Sequence, residues 1–564
     1  MVISTEPHES PAFSANLEAL RGVDAALVER LSLPVEGSHV QQRPDGPPVY
    51  RVHRYFYPFV VPDDRLAASI GAVDGTRPVL LFGAGVGEQL GAVVDRFPDL
   101  RVTVWDRDPW LFRHLLASGD LRERLTDGRI RLRMGVDLID LHDDVGEHCV
   151  VEHPFLGEIY RFERALLRDG PGRRRALLRS GTLFVDDLAA ALSRDGYSIY
   201  TLDTDRLSIE ELEFTVRRFR PDLLAAINYA EGTAEFCDAV GCDLLCWEID
   251  PSTTRLRPLT TPSSRAHVFT YRRRNVELFE AAGFAHVEYL PLAADTDRRR
   301  PLELTAEERA EYGAPVSYVG ASMAAEGLEF RQRFVERYAG WAARTGADPT
   351  GGTELLGNVL AAQRKDLSRY RVVEALEAFG GSFLRDERAG DNIEDPAMLI
   401  AEIAAAEKRL TYVANLASFG VVVWGDAGWK QAARFGARYS GRYARHTDEL
   451  TRVYNASTIN VDIGRLYQSD IITMRVFDVL ACGGFLLAEH SEALAEQFRI
   501  GEEVEAYRTL NELRAKVAHY LAHPKEAALI ARRGLRAVRE RHTIPGRVRH
   551  MLDRMGRPPR PEGV

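Results

Sequence analysis

The sequence predicts an α/β protein assembled from successive Rossmann-like units, and three observations carry that expectation. Nearly all-apolar segments such as VLLF, LLAAI and VVVW alternate with amphipathic segments of helical period. That is the pattern of parallel strands covered on both faces by crossover helices. Glycines recur at the strand-to-helix junctions, as GAGVG at 83–87, SG at 180–181 and GAS at 320–322. The chain has 564 residues, enough for three or four domains at roughly 150 residues each, and the strand–helix rhythm restarts twice after its first appearance.

Composition narrows the class further. The chain is 45% apolar and 28% charged, near globular averages, which excludes wholesale disorder. Its 45 Gly and 27 Pro exclude a collagen-like or low-complexity architecture. A net charge of -10 and a pI near 5.9 lack the footprint of a nucleic-acid binder, and the basic runs at 173–175, 272–274 and 298–300 read as solvated faces. Five cysteines, an odd number, point away from a disulfide scaffold and toward a reducing compartment. Cys237, Cys242 and Cys246 have no neighbouring histidine and read as core packing, not as a zinc site. With no basic-then-apolar leader at the N-terminus and no run of 18 apolar residues, the expectation is a cytoplasmic protein with no membrane span.

In chain order, residues 1–170 read as an N-terminal Rossmann-like domain. PVYRVHRYFYPFVVPDD suggests a leading hairpin, and RPVLLFGAGVGEQLGAVVDRF follows as strand, glycine turn and helix. RVTVWDRDP and RIRLRMGVDLIDL add strands. A second domain spans 171–305, where RRRALLRSGTLFVDDLAAALSRDGYSIYTLD opens the same rhythm again. A third spans 306–564 and opens at APVSYVGAS. It carries a helical insertion at about 326–410, then resumes with FGVVVWGDAGW, TRVYNASTINVDI and MRVFDVLACGGFLLAE.

Two constellations carry chemistry. Gly83, Gly85 and Gly87 lie between a buried strand and a helix, where backbone can approach a ligand and helix amides face it. Asp106 ends the next strand, where an acid can bond ribose hydroxyls. The loop therefore reads either as a nucleotide, dinucleotide or S-adenosylmethionine pocket, or as tight packing in a sheet that binds nothing. It resembles motif I of class I methyltransferases and the N-terminal sheets of Maf-type flagellin glycosyltransferases. HCVVEHPF lacks the polar-aromatic tetrapeptide of amino-methyltransferases. The second constellation begins near Ile472, where a helix start carries Thr473, Arg475 and Asp478. Free amides and a cation suit a diphosphate, and an acid one turn in can hold ribose hydroxyls. Its bland reading is an ordinary helix–Gly–strand unit.

From about 173 to 552 the sequence resembles the CgeB-like (spore-maturation type) glycosyltransferases of the GT-B fold. The resemblance runs in order through PDLLAAIN, VFTYRRRNVELFEAAGFAHVEYLPLAAD, VSYVGAS, VVVWGDAGW, VYNASTINVDI, RVFDVLACGGFLL, GEEVEAY and HPKEAALIARRG. It implies a pair of Rossmann-like domains, 171–305 on the acceptor side and 306–564 holding a nucleotide-diphosphate sugar, preceded by the extra N-terminal domain. It implies glycosyl transfer to a hydroxyl acceptor on a protein or glycan, with no metal.

By the same resemblance Asp478 matches the acid that holds the donor ribose, although the family usually has Glu there. Arg475 and Thr473 would face the diphosphate. Gly320 and Ser322 would line the phosphate side, Gly425 and Asp426 the base, and Asp470 the sugar. Strand ends in the second domain offer Glu231 and Asp250 as candidate catalytic bases. Asn228, Tyr229, Gly232 and Glu248 lie beside them, and Ser180 and Gly181 line the cleft. Two alternatives stand beside this reading. One is a bifunctional methyltransferase–glycosyltransferase, the other a non-catalytic module that binds sugar or a partner. Neither a G-x-S-x-G elbow nor a P-loop is present, which disfavours serine hydrolysis and NTP hydrolysis.

Overall fold

The structure is a computed structural model that describes residues 10–36, 40–41, 49–52, 55–181, 183–250, 256–390 and 394–557. The first nine residues, on which the expectation about a leader falls, lie outside them. The chain divides into two compact units. One holds residues 1–247 and 260–268, the other 248–259 and 269–558, with residues 559–564 assigned to the first.

The first unit contains three sheets. β1 (Val40–Gln41), β2 (Val49–Val52) and β3 (Tyr55–Pro58) form a small antiparallel sheet. The hairpin expected at 48–64 is the β2–β3 pair, with residues 53–54 outside the described set. β4 (Val79–Phe82), β5 (Val102–Asp106), β6 (Ile130–Met134) and β7 (Cys149–Glu152) form a parallel sheet in the order β6-β5-β4-β7. β4 and β5 are buried at every position, as strands with helices on both faces must be. Then β8 (Arg174–Arg179), β9 (Tyr197–Leu202), β10 (Leu223–Ile227), β11 (Asp243–Glu248) and β12 (Ser263–Thr270) run in the order β9-β8-β10-β11-β12.

The two parallel sheets of this unit share a polar seam. Arg30 pairs with Asp137 at 2.5 Å and with Glu211 at 2.6 Å. Arg107 pairs with Glu163 at 2.8 Å, and Arg206 with Asp108 at 2.6 Å. Asp108 and Asp137 follow strands of the first sheet, while Arg206 and Glu211 belong to the second. These nearly buried pairs explain why residues on both sides of position 170 form one compact unit: separating the sheets would leave buried charges without partners.

The second unit includes β13 (Phe284–Tyr289) and a fully parallel six-stranded sheet. Its strands are β14 (Val316–Val319), β15 (Val421–Trp424), β16 (Arg438–Tyr439), β17 (Ile459–Val461), β18 (Leu486–Glu489) and β19 (Glu505–Tyr507). They run β16-β15-β14-β17-β18-β19, the doubly wound order whose direction reverses between the first and fourth strands. Four helices separate β14 from β15: α1 (Ala324–Thr345), α2 (Gly351–Arg364), α3 (Val372–Ala389) and α4 (Pro396–Asn415). They have a core of their own, built on Phe334, Leu356, Leu360, Phe383 and Ile400. Three buried cysteines, Cys237, Cys242 and Cys246, pack in the first unit and form no disulfide. No helix among the described residues is long and apolar enough to cross a membrane.

Candidate functional site

In an open parallel sheet ligands collect at the carboxyl ends of the strands, beside the point where strand order reverses. In the second unit that point lies between β14 and β17. A cavity of about 240 Å³ opens next to it. Arg369, Lys408, Arg465 and Arg508 contribute cations, against the carboxylates of Asp462 and Glu489. Thr473, at the start of α5 (Met474–Ala481), also lines it, so the helix start identified in the sequence borders the cavity.

Each carboxylate is held. Asp462 follows β17, and its Oδ1 accepts from the Thr473 hydroxyl at 2.9 Å and from the Arg475 guanidinium. Its backbone carbonyl accepts from the Tyr507 hydroxyl at 2.6 Å. Glu489 ends β18. Its Oε1 accepts from Lys408 Nζ at 2.5 Å and its Oε2 from the Gly464 amide at 3.0 Å. Arg465 Nη1 donates to the Tyr467 hydroxyl at 2.8 Å. Burial opposes the charge on Arg465, and Tyr467, Glu402 and Asp250 more than offset it, so its pKa is raised. Arg508 Nη2 donates to His490 Nε2 at 2.8 Å on the rim.

Several residues expected at the donor have other commitments. Asp478 is buried on α5, and its carboxylate accepts from Arg299 Nε at 3.2 Å. Burial raises its pKa against the pull of Arg299. It faces Arg299 and does not line the cavity. Arg475 lies with its guanidinium carbon 4.7 Å from the centre of the Tyr318 ring. Its Nε donates to the Val319 carbonyl at 2.8 Å and its Nη1 to Asp462. It clamps the end of β14 to the end of β17 and reaches the cavity wall through Asp462.

Gly320, Ser322, Gly425 and Asp426 do come together, but on one another. Asp426 accepts the Ser322 amide at 2.5 Å, the Ser322 hydroxyl, and the Gly428 amide at 2.8 Å. Burial works to raise its pKa, yet these donors bring it below the usual carboxylate range. The Gly320 carbonyl accepts from Trp429 Nε1 at 2.8 Å. Ser322 is fully buried, and these two loops form a packed junction. Asp470 is paired with Arg272, at 2.5 Å to Nη2. Arg272 Nη2 also donates to the Tyr467 carbonyl at 2.9 Å, so Arg272 ties Asp470 to the backbone of the 462–473 loop.

On the acceptor side, Ser180 and Gly181 follow β8, while Asn228, Tyr229, Glu231 and Gly232 follow β10. β8 and β10 are paired neighbours, so the two loops share one strand end of the first unit. Asn228 adopts a left-handed backbone, φ 60°, a conformation asparagine tolerates better than most residues. Glu231 is exposed there, and the Tyr229 hydroxyl donates to Glu235 at 3.5 Å. Glu248 is buried at the end of β11. Asp250 is exposed in the second unit and carries enough field at Arg465 and Tyr271 to help raise both their pKa values. Asp250 is thus the candidate base that stands beside the cavity.

The N-terminal glycine loop is closed. Gly83, Gly85 and Gly87 all have positive φ, as expected. A Cβ on Gly83 would lie 2.7 Å from the His153 Cβ, and one on Gly85 2.6 Å from its Nε2, so the His153 side chain packs directly against the turn. Burial pushes His153 down to about 4, which keeps it neutral. Asp106 is fully buried. It accepts the Ala84 amide at 2.7 Å, the Asp108 amide at 2.9 Å and the Tyr160 hydroxyl at 2.7 Å. Asp106 is turned inward on its own loop, the arrangement of the tight-packing alternative for Gly83, Gly85, Gly87 and Asp106.

Burial pushes Asp106 up to about 7. An acid raised in the folded state binds a proton that the unfolded chain has released. Stability is therefore expected to fall as pH rises from about 4 to about 7, and to be insensitive to this group outside that window. The check is the pH slope of urea unfolding, which Asp106→Asn should flatten relative to the parent chain.

The cavity residues missed in the sequence are Arg369, Lys408, Asp462, Arg465, Glu489 and Arg508. Asp462 and Glu489 each end or follow a buried strand and were open to the same strand-end rule that selected Asp250. Lys408 sits in mid-helix between Glu407 and Arg409, far from any strand end, and gave no such signal.

A family model of glycosyl transferase-like proteins matches residues 402–553, from α4 through the rest of the sheet. Over that segment the chain is similar to glycosyl transferase-like proteins. Solved structures similar to the chain include HepE from Anabaena in complex with UDP-glucose, with 10% identity, a TM-score of 0.40, and coverage of 68% of this chain and 99% of that one. Sucrose-phosphate synthase from Thermosynechococcus elongatus has 12% identity, a TM-score of 0.36, and coverage of 68% and 98%. The Maf glycosyltransferase from Magnetospirillum magneticum has 12% identity, a TM-score of 0.20, and coverage of 51% and 57%. No curated protein matches the chain.

Proposed function

We propose that the protein transfers a glycosyl group from a nucleotide-diphosphate sugar to a hydroxyl acceptor, and that the donor binds in the cavity at the ends of β17 and β18. The observation that carries this reading is a recessed, predominantly cationic cavity beside the switch point of a doubly wound sheet, within the segment that matches glycosyl transferase-like proteins. Within that class the ordered motifs favour the CgeB-like subtype of the GT-B fold.

The chemistry assigns each group a task. An acceptor hydroxyl loses its proton to Asp250, and its oxygen bonds to the anomeric carbon. The bond from that carbon to the diphosphate oxygen breaks, and the nucleoside diphosphate leaves carrying the electron pair. Its charge is stabilised by cations and amides already oriented toward the cavity before the bond breaks. Arg465 and Arg508, which line the cavity, are placed for this. The acceptor hydroxyl belongs to a protein or a glycan.

A thermal-shift screen against UDP-, GDP- and dTDP-sugars tests the reading. A donor at 100 times its Kd adds about 2.7 kcal/mol to stability, expected to raise Tm by several degrees. The matching donor should also release nucleoside diphosphate in the presence of acceptor. If none of these donors shifts Tm and none is turned over, the reading fails.

A further inference from the structure

The four-helix insertion does more than decorate the sheet. Its last helix, α4, delivers Lys408 to the cavity, and the turn between α2 and α3 delivers Arg369. Lys408 is 1% exposed. An ammonium carries three donors and no acceptor. Among the described residues one of them is used, toward Glu489 Oε1 at 2.5 Å, and the ring of Tyr412 lies 5.5 Å from Nζ. A buried cation with spare donors facing a cavity is costly unless an anion completes its shell.

The insertion also grips the cavity's own loop. Leu466 packs into the insertion core with Phe334 and Ile400. Glu402 of α4 accepts from the Tyr467 hydroxyl, and from Arg465 Nη1 at 3.4 Å. Lys408, Glu402 and Leu466 therefore tie helices, loop and cavity into one packed body.

We propose that the insertion is a structural half of the donor site. Lys408, held by Glu489 in the free protein, and Arg369 supply charge to the diphosphate of the donor. This rests on the donor reading above for the identity of the ligand, but not for the anion site itself. When a diphosphate enters, the spare donors of Lys408 take a phosphate oxygen, the pull on Glu489 Oε1 weakens, and that oxygen becomes available to accept a hydroxyl from the sugar.

Calorimetric titration of the full chain with inorganic pyrophosphate, with UDP, GDP and dTDP, and with the corresponding nucleosides tests this. Lys408→Met is expected to weaken diphosphate binding at least tenfold and Arg369→Gln about threefold or more, with weak nucleoside binding unchanged. Arg369 is exposed, so R369Q decides the matter if K408M does not fold. Diphosphate affinity equal to the parent in the folded variants overturns the role of the insertion and leaves the donor reading intact. Pyrophosphate binding that depends on Lys408 or Arg369, without binding of any nucleoside diphosphate, upholds the anion site and sinks the donor reading. Binding of neither pyrophosphate nor a nucleoside diphosphate by the parent chain sinks both.

Discussion

Asp478→Ala is expected to lower the stability of the second unit by about 3–5 kcal/mol, the usual cost of removing one partner from a buried ion pair. The side chains of Arg299 and Asp478 are 4% and 7% exposed. Arg299 Nη1 donates to the Thr447 carbonyl at 3.1 Å and to the Thr451 hydroxyl at 3.0 Å. Its Nε faces Asp478. Removing the carboxylate leaves a guanidinium inside the protein with a dipolar shell and no counter-charge. Urea unfolding of the variant should show an earlier midpoint with an unchanged m value. A paired replacement, Arg299→Met with Asp478→Leu, should recover much of the loss, because an apolar pair of similar volume avoids the desolvation of both ions. Donor affinity measured on the folded fraction should change little. The opposite pattern, an unmoved midpoint with donor binding abolished, would restore Asp478 to the ribose and remove the structural account.

That expectation differs from the one drawn from the motif, and the reason is physical. Local signals were strong where the chain's interactions are local. The all-apolar runs at 79–82, 223–227 and 421–424 became buried parallel strands because period and burial are properties of a few consecutive residues. The glycines of GAGVG do adopt the positive φ that a tight strand–helix turn requires. What the sequence could not display is where each side chain finds its partner. Asp478 meets a residue 179 positions away, Lys408 one 81 positions away, and Asp106 a tyrosine 54 positions away. A carboxylate at a strand end looks the same on paper whether it awaits a ribose or caps its own loop. In the N-terminal case His153 packs directly against the glycine turn, and nothing around HCVVEHPF announces that. The cavity itself is assembled from the insertion, β17, β18 and α5, so no single stretch of sequence could reveal it.

Gly425→Ala is expected to cost about 2–5 kcal/mol, combining overpacking with loss of a buried hydrogen bond. The first two strand-end loops of the second sheet meet backbone to backbone. The Gly320 amide donates to the Trp424 carbonyl at 2.9 Å, and the Gly425 amide to the Arg442 carbonyl at 3.1 Å. A Cβ at 425 would stand 2.2 Å from the Gly320 carbonyl oxygen and 2.5 Å from Trp429 Nε1. Those two atoms are the acceptor and donor of one 2.8 Å hydrogen bond, so the methyl group would be driven between them. Neither side can yield cheaply. One is main chain, and the other is a fully buried indole packed edge-on against Tyr318, with ring centres 5.5 Å apart. Moving it disturbs the same tyrosine on which Arg475 lies, and through Arg475 the carboxylate of Asp462 in the cavity wall. Diphosphate affinity should therefore fall along with stability, even though Gly425 does not line the cavity. Gly357→Ala provides the contrast: it lies within α2, a Cβ there meets nothing within 4 Å, and helix propensity favours the change by up to about 1 kcal/mol. An alanine at 425 that matched the parent in urea unfolding and in pyrophosphate binding would show that the two loops part readily, and that the junction does not support the cavity wall.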